Sequence, residues 1–266
     1  MVILYEHPLS PYAQKVKISV REKGIALELK TPDGIGSGNS AGEFIAANPR
    51  GEVPVLIDGG TRIFDSTIIL EYLDDKWPTP PMRPETPAAR AKVRMIEEVC
   101  DTHFEAINWG LGEITYFQRA TGAKADEMRE LAGQQIARLH RWLGAQLGNA
   151  DWFNGENFGW GDLSVIPYIN GAAGFGFAPD AAAPLGKWMA RANARPSVAQ
   201  TAQEAVASIT DMQNVANVVK MGLFKREYRD HRLEWMMKSG GVEIVLDGLR
   251  NNNIRFAHEF DQETPA

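Results

Sequence analysis

The chain has 266 residues, with 34 acidic against 28 basic side chains and a sequence pI near 5.5. This length suits one large or two ordinary domains with a sizeable core, and the net charge of −6 argues against nucleic acid as the main partner. No apolar run reaches roughly eighteen residues and the chain holds a single cysteine, so we expect no membrane span, signal peptide or intrachain disulfide, and a cytoplasmic location.

The first 78 residues alternate between strand and helix patterns. Short apolar runs bounded by turn residues indicate strands, and apolar residues at helical spacing indicate helices. This alternation predicts a mixed α/β domain over residues 1–78. The predicted elements are strands at 2–5, 26–30, 54–58 and 61–64, and helices at 11–23, near 42–47 and at 66–76.

Ser10 and Pro11 stand at the start of the first predicted helix. Serine followed by proline is typical of an N-cap and a first helical position. A hydroxyl at this place lies beside unpaired N–H groups and the positive end of the helix dipole, which suits it to stabilise an anion such as a thiolate. The alternative is that Ser10 only caps its helix.

A second candidate binding element is the run 48–56, followed by Asp65 and Ser66. Val53 precedes a proline beside the predicted strand 54–58, so its backbone groups are able to pair with an extended peptide. Asp65 and Ser66 open the next helix, whose first N–H groups favour a carboxylate. Together these elements predict a pocket for a small thiol peptide.

After the proline-rich linker 78–81, strand patterns nearly vanish and helical spacing dominates. Cys100 lies within the first of these helices and is predicted to be a buried packing residue. Asp162 is predicted to hold the start of a later helix with backbone donors, since Gly159 stands where a capping hydroxyl is expected. The predicted helices are 87–119, 125–147, 161–171 and 184–192, with further segments after Pro196, which gives an all-helical domain over 87–220.

Residues 221–266 form an extension that is predicted to pack on the helical domain or on a partner subunit. Its basic stretch 225–232 contains interleaved acids, which favours a solvated or subunit-contacting helix. The segment 242–246 fits either a strand or a short helix. The tail is long enough to cover an active site or to clasp another subunit.

These motifs resemble the cytosolic glutathione S-transferases. The resemblance rests on the strand, loop and Ser-Pro-Tyr helix opening, on 48–56, on Asp65-Ser66 with the following Ile-Ile-Leu-Glu-Tyr-Leu, and on 193–198. It covers roughly the first two hundred residues and implies a thioredoxin-like α/β N-terminal domain, an all-α C-terminal domain and a homodimer. It also implies a cis peptide bond before Pro54.

The resemblance implies how glutathione is held. Ser10 donates a hydrogen bond to the sulfur, Val53 pairs with the cysteine backbone, and Asp65 and Ser66 hold the γ-glutamyl end. Asp65 stands where the family usually has Glu, as in some bacterial members that include lignin β-etherases.

At the glycine end of glutathione this chain departs from the family. Glu52 repels the glycine carboxylate, so we expect Arg50, Lys30 or a partner chain to neutralise the negative charge at that end of the site. Residues 34–40 are rich in glycine but lack the Gly-Lys ending of a phosphate loop, and we interpret them as a loop over the glutathione site.

The function implied is a glutathione transferase with glutathione as co-substrate and no metal. The activated thiol attacks a hydrophobic electrophile, and conjugation, of the kind used in detoxification, dehalogenation and ether cleavage all begin with that attack. Members that exchange thiols carry cysteine in place of Ser10, so disulfide reductase activity is not expected. The alternative is a non-catalytic binding or regulatory protein on the same fold.

Two tyrosines are rival activators of the thiol, because a phenol also donates to sulfur. Tyr5 lies in a predicted strand, where packing is the more ordinary role, and Tyr12 lies in the first turn of the helix that Ser10 opens. The wall of the substrate pocket is predicted to include an aromatic set from the C-terminal helices. Aromatic residues at helical spacing are more often core than pocket residues, and Tyr12 borders the pocket from the first helix. The candidates on the stretch 87–119 are His103, Ile107, Trp109, Tyr116 and Phe117.

Overall fold

The computed structural model describes residues 2–35, 41–210, 215–222, 228 and 230–254. Its sheet has the strand order β2-β1-β3-β4. The β1 and β2 strands are parallel, with Val2 opposite Leu27, whereas β1–β3 and β3–β4 are antiparallel. The strands are β1 (Val2–Tyr5), β2 (Leu27–Lys30), β3 (Val55–Asp58) and β4 (Thr61–Phe64), each within one residue of its prediction.

Alternation along the strands sends side chains to two different cores. Val2, Leu4 and Leu56 join a large core on one face of the sheet, while Val55 and Ile57 join a small one on the other. Helices α1 (Pro11–Glu22) and α3 (Ser66–Lys76) cover the first face, and α2 (Glu43–Ala47) covers the second. The site residues therefore lie at the ends of elements that a buried sheet holds in place.

After residue 87 the described elements are helical. Together with the mixed sheet, they confirm the predicted fold class of a thioredoxin-like α/β part followed by an all-α part. The helices are α4 (Pro87–Val99), α5 (Glu105–Thr115), α6 (Ala123–Leu147), α7 (Trp160–Gly174), α8 (Pro184–Asn193), α9 (Pro196–Thr210) and α10 (Val215–Lys220).

The helix predicted over 87–119 differs from the structure. A π-helical turn, Cys100–Phe104, separates α4 from α5, and α5 ends at Thr115. The chain closes that end with a hydrogen bond from the Phe117 N–H to the Gly112 carbonyl, and Gln118 has φ +49°. A π turn leaves no mark on apolar spacing over so short a length, so periodicity predicted one continuous helix.

Asp162 holds the start of α7, as its position predicts. Its carboxylate accepts hydrogen bonds from the N–H groups of Phe153 at 2.8 Å and Gly159 at 3.0 Å, and from Nε1 of Trp188 at 2.7 Å. A Cβ on Gly159 would lie 2.5 Å from the Met82 carbonyl oxygen, which explains why no capping side chain stands there. Burial raises the pKa of Asp162 to about 6 against these donors.

The C-terminal extension contains α11 (His231–Lys238) and α12 (Val242–Arg250) among its described residues. The segment 242–246 is therefore helical, which settles the strand or helix alternative. Of the basic stretch, 225–227 and 229 lie outside the described residues. Tyr228 contacts α5, with its ring 4.6 Å from that of Trp109 and its hydroxyl donating to Glu113 at 2.9 Å. Within the described ranges, no helix combines the length and apolar character that crossing a bilayer requires.

Candidate glutathione site

Ser10 is the N-cap of α1. Its backbone is extended, with φ −76° and ψ 113°, and its Oγ accepts a hydrogen bond from the Ala13 N–H at 3.3 Å. Because Oγ acts there as an acceptor, the hydroxyl proton remains for a second partner. The first turn of α1 holds no acidic residue that would offset the positive end of the helix dipole. This end of α1 therefore suits a bound anion.

Val53 lies in a turn that its neighbours hold in shape. The Val53–Pro54 peptide bond is cis, as the resemblance implies. Buried Asn48 braces the turn, since its Nδ2 donates to the Glu52 carbonyl at 2.8 Å and its Oδ1 accepts from the Arg50 N–H at 3.0 Å. Among the described residues, neither the N–H nor the C=O of Val53 takes part in a hydrogen bond, which leaves both for an extended ligand.

Asp65 and Ser66 form the start of α3. Asp65 has φ +76°, a conformation that non-glycine residues adopt rarely. Its Oδ1 accepts from the N–H groups of Thr67 at 3.0 Å and Ile68 at 3.4 Å. Asp65 thus takes two N–H groups that sequence reasoning assigned to a carboxylate ligand. The buried Ser66, with its own N–H and hydroxyl, lies beside this cap.

Arg50 and Glu52 form an ion pair within the loop. Arg50 Nε donates to Glu52 Oε2 at 2.7 Å, its Nη2 contacts the same oxygen, and its guanidinium lies 5.5 Å from the centre of the Phe64 ring. The chain itself therefore supplies a cation against Glu52. Lys30 has Glu28 as a partner, at 3.3 Å. Residues 36–40 of the predicted loop lie outside the described residues.

Tyr5 and Tyr12, the two rival activators, each donate their hydroxyl proton to an acceptor within the protein. Tyr5 packs its ring on Phe44, at 5.6 Å between ring centres, and donates to Glu43 Oε2 at 3.3 Å. The Tyr12 hydroxyl donates to the Asp101 carbonyl at 2.6 Å, and its ring meets that of Tyr168 edge to face. A phenol has one proton to donate, so these contacts compete with donation to a sulfur.

The other predicted pocket residues are spread along the π turn and α5. His103 lies in the π turn, with Nδ1 2.8 Å from the Thr102 hydroxyl oxygen, and Ile107 packs half-buried against the large core. Trp109 packs on Tyr228 of the extension, whereas Tyr116 packs on Phe175 at 5.5 Å. Burial raises the pKa of Tyr116. Trp109 and Tyr116 therefore both have ring partners inside the chain.

Sequence reasoning missed a buried ion cluster, defined here as Lys15, Glu97 and Asp101. Lys15 has no exposed surface, and its Nζ lies 2.8 Å from Glu97 Oε1 and 2.6 Å from Asp101 Oδ2. Burial works against the ammonium form, but the facing carboxylates raise the pKa of Lys15 overall. Burial also disfavours the Glu97 carboxylate, yet Lys15 and the Trp160 indole N–H lower its pKa. The ammonium is thus held charged between two acids.

One signal in the sequence points to this cluster. Glu97 and Asp101 are spaced i and i+4 on a predicted helix, where two like charges destabilise an exposed helix unless a cation lies between them. Lys15 alternates with apolar residues in α1, and the pattern alone reads it as a solvated side chain. Cys100, beside Asp101, is fully buried, and burial raises the pKa of its thiol well above the ordinary value. This agrees with its predicted packing role.

The described residues contain no cluster of three or more His, Cys, Asp or Glu side chains arranged to hold a metal ion.

Comparison with known proteins places these features in a family. The family model for the glutathione S-transferase N-terminal domain matches residues 4–81. The chain is 30% identical over 178 residues to "Glutathione S-transferase 1" of Dianthus caryophyllus, which covers 65% of this chain and 78% of that protein.

Two solved structures show that the similarity extends into the helical part, since each covers 76% of this chain. A glutathione S-transferase from Rhodospirillum rubrum F11 superposes with a TM-score of 0.67 at 26% identity, covering 76% of this chain and 91% of that one. One from Methylobacterium radiotolerans, in complex with glutathione sulfonate, has a TM-score of 0.60 at 29% identity, covering 76% and 94%.

Proposed function

The chain belongs to the glutathione S-transferase family, and from this membership we propose that it activates the glutathione thiol for attack on a hydrophobic electrophile. The single observation that carries the proposal is the position of Ser10 at the N-terminus of α1, with a hydroxyl proton to donate. Ser10 is the catalytic residue in this account.

The chemistry requires a thiolate. A free thiol has a pKa near about 8.5, and each unit of lowering needs roughly 1.4 kcal/mol of stabilisation of the charged form. A hydrogen bond to a charged group contributes about 1.5–3 kcal/mol, and a helix N-terminus about 0.3–1 kcal/mol. Ser10 and the start of α1 together therefore account for a lowering of about two units, which is enough to ionise most of the bound thiol at neutral pH.

The remaining contacts hold glutathione in place. The N–H and C=O of Val53 pair with the cysteine residue of the ligand as an added strand, and Pro54 fixes the end of that turn. Ser66 receives the γ-glutamyl carboxylate at the start of α3, where Asp65 orders the helix end. Arg50 neutralises Glu52 and thereby removes the repulsion that the glycine carboxylate would meet.

The electrophile enters from the side of the helical part. Its pocket is bordered by Tyr12 in the first turn of α1, by His103 of the π turn and by Ile107 of α5. The thiolate forms a carbon–sulfur bond, and either the leaving group departs with the bonding electrons or a double bond accepts them. Conjugation, dehalogenation and ether cleavage share this step. Trp109 and Tyr116, which are half-buried against their ring partners, complete the wall of the pocket.

We also propose a homodimer. Ile68 at the start of α3 is 56% exposed and Met95 on α4 is 61% exposed. An isologous contact with a second copy would bury both. In this account residues 1–78 bind glutathione, 87–220 form the substrate pocket, and 221–266 pack on the helical domain or on the partner subunit.

The test measures retention on glutathione agarose and turnover of an aryl halide. The wild-type protein is expected to do both, and Ser10→Ala to keep most of its affinity for glutathione while losing about 10²-fold or more in turnover. Thr86→Ala is the matched control, because Thr86 caps α4 with the same geometry at 3.2 Å but lies outside the site. Glutathione binding without turnover of any aryl halide, epoxide or thioether-forming electrophile would favour the non-catalytic alternative.

A further inference from the structure

The two helix starts that hold glutathione are both tied to the same segment of the helical part. From α1, the Tyr12 hydroxyl donates to the Asp101 carbonyl at 2.6 Å, and Lys15 binds the Asp101 carboxylate. From α3, the Thr67 hydroxyl donates to Glu97 Oε1 at 2.9 Å. Tyr12 follows Ser10 by two residues and Thr67 follows Ser66 directly, so each link sits within the first turn of a helix that the ligand contacts.

Glu97 and Asp101 are themselves held rigidly. Glu97 Oε2 accepts from the Trp160 indole N–H at 2.6 Å and from Arg94 at 3.1 Å, and Asp101 Oδ1 accepts from the Tyr168 hydroxyl at 2.6 Å. Trp160 and Tyr168 are fully buried residues of α7. The end of α4 and the π turn are therefore hydrogen-bonded to the buried helix α7 on one side and to both ligand-binding helix starts on the other.

Lys15 connects Glu97 to Asp101 through its ammonium group. It donates to Glu97 at 2.8 Å and to both oxygens of Asp101, at 2.6 and 2.9 Å, with no exposed surface. Asp101 lies in the π turn Cys100–Phe104, and its carbonyl accepts from the Tyr12 hydroxyl while its carboxylate binds Lys15. The three charges and the two hydroxyl links thus act as one unit across the junction between the two parts of the chain.

We infer that Glu97 and Asp101 are positioning residues that set the separation between the Ser10 and Ser66 helix starts, and so match the site to the span between the sulfur and the γ-glutamyl end of glutathione. This inference rests on the proposed function. The link through Tyr12 governs the sulfur end, while the link through Thr67 governs the γ-glutamyl end. Displacing a reacting group by about 1 Å costs on the order of 10²-fold in rate, so small shifts at either end are measurable.

The experiment removes each link separately. Tyr12→Phe is expected to raise the pKa of the enzyme-bound thiol by less than Ser10→Ala does and to lower kcat by about tenfold, with the glutathione Kd changed by less than about twofold. A rise as large as that in Ser10→Ala would make Tyr12 itself the donor to the sulfur and overturn the inference. Thr67→Val is expected to raise the glutathione Kd by about fivefold and to leave the bound-thiol pKa unchanged. Tyr72→Phe is the matched control, because Tyr72 also donates from α3 to a carboxylate, that of Asp58 at 2.8 Å, but away from α1.

A split between the two readouts supports the inference, because general destabilisation would move both together. Equal changes of thiol pKa and Kd in both variants, or values that match Tyr72→Phe, would overturn it. Wild-type protein serves to separate the two proposals: if it binds no glutathione, the proposed function fails, whereas normal wild-type binding and thiol activation with unresponsive variants rejects only the positioning role.

Discussion

Removing Lys15 tests how much of the folding free energy depends on the buried ion cluster. In Lys15→Met, Glu97 keeps three donors, from Thr67, Trp160 and Arg94, while within the described part of the chain the Asp101 carboxylate keeps only the Tyr168 hydroxyl. The uncompensated charge therefore falls on Asp101. Breaking a buried pair by deleting one partner costs about 3–5 kcal/mol, because the other charge stays buried without compensation.

This cost is a large share of an ordinary stability of about 5–15 kcal/mol. For a chain of this size it corresponds to a decrease in Tm of roughly 10 °C at pH 7.5, measured by calorimetry or by far-UV circular dichroism. The control is Lys124→Met, which breaks an exposed pair with Glu127 at 2.9 Å and is expected to cost less than about 1 kcal/mol.

Asp101 provides the sharper part of the same test. Burial raises the pKa of Asp101 even with Lys15 present, so the carboxyl should protonate readily once Lys15 is gone. The double variant Lys15→Met/Asp101→Asn should regain about 2 kcal/mol relative to Lys15→Met, and lowering the pH to 5.5 should narrow the gap between Lys15→Met and wild type. The reasoning is refuted if Lys15→Met melts within about 2 °C of wild type, or if the double variant is less stable than the single one.

Three further predictions concern the core. Gly159→Ala should lower the free energy of unfolding by more than about 2 kcal/mol, since the new Cβ would lie 2.5 Å from the Met82 carbonyl oxygen. Gly144→Ala, in open space on α6, should instead raise it by roughly 0.5–1 kcal/mol. Equal Tm values for the two variants would contradict this. Burial lowers the pKa of His140 from 6.5 to about 4. The free energy of unfolding should therefore decrease as the pH falls from about 6.5 to 4, by about 2 kcal/mol at pH 5. Urea titrations of His140→Gln should not show this decrease. Cys100 should resist labelling by Ellman's reagent in the native state and react fully in denaturant; rapid native labelling would show that the thiol is accessible.

Much of the N-terminal part follows from sequence because local rules and tertiary packing agree there. Short apolar runs bounded by turn residues, the Ser10-Pro11 cap and the Asp65-Ser66 helix start each have a local physical cause, and the structure places them within one residue of the prediction. The cis bond before Pro54 came from family resemblance, since residue spacing gives no information on it.

The features that sequence missed depend on contacts between distant segments. Lys15 is buried only because Glu97 and Asp101 meet it from another part of the chain, and a pattern of single residues reads such a lysine as solvated. The π turn is a local change in hydrogen bonding that apolar spacing does not encode. The contacts of Tyr228 likewise join the extension to α5, since its ring packs on Trp109 and its hydroxyl donates to Glu113, 115 positions earlier in the chain. Propensity and periodicity describe neighbours, and these contacts are not between neighbours.

The most direct test of the account is the ionisation of glutathione on the protein. Thiolate absorbance in the ultraviolet is titrated against pH for glutathione bound to wild type and to Ser10→Ala. The account predicts a wild-type midpoint about two units below the free value near about 8.5, and a midpoint in Ser10→Ala that returns most of the way to it. A wild-type midpoint equal to that of free glutathione, or a Ser10→Ala midpoint as low as that of wild type, would contradict the role of Ser10.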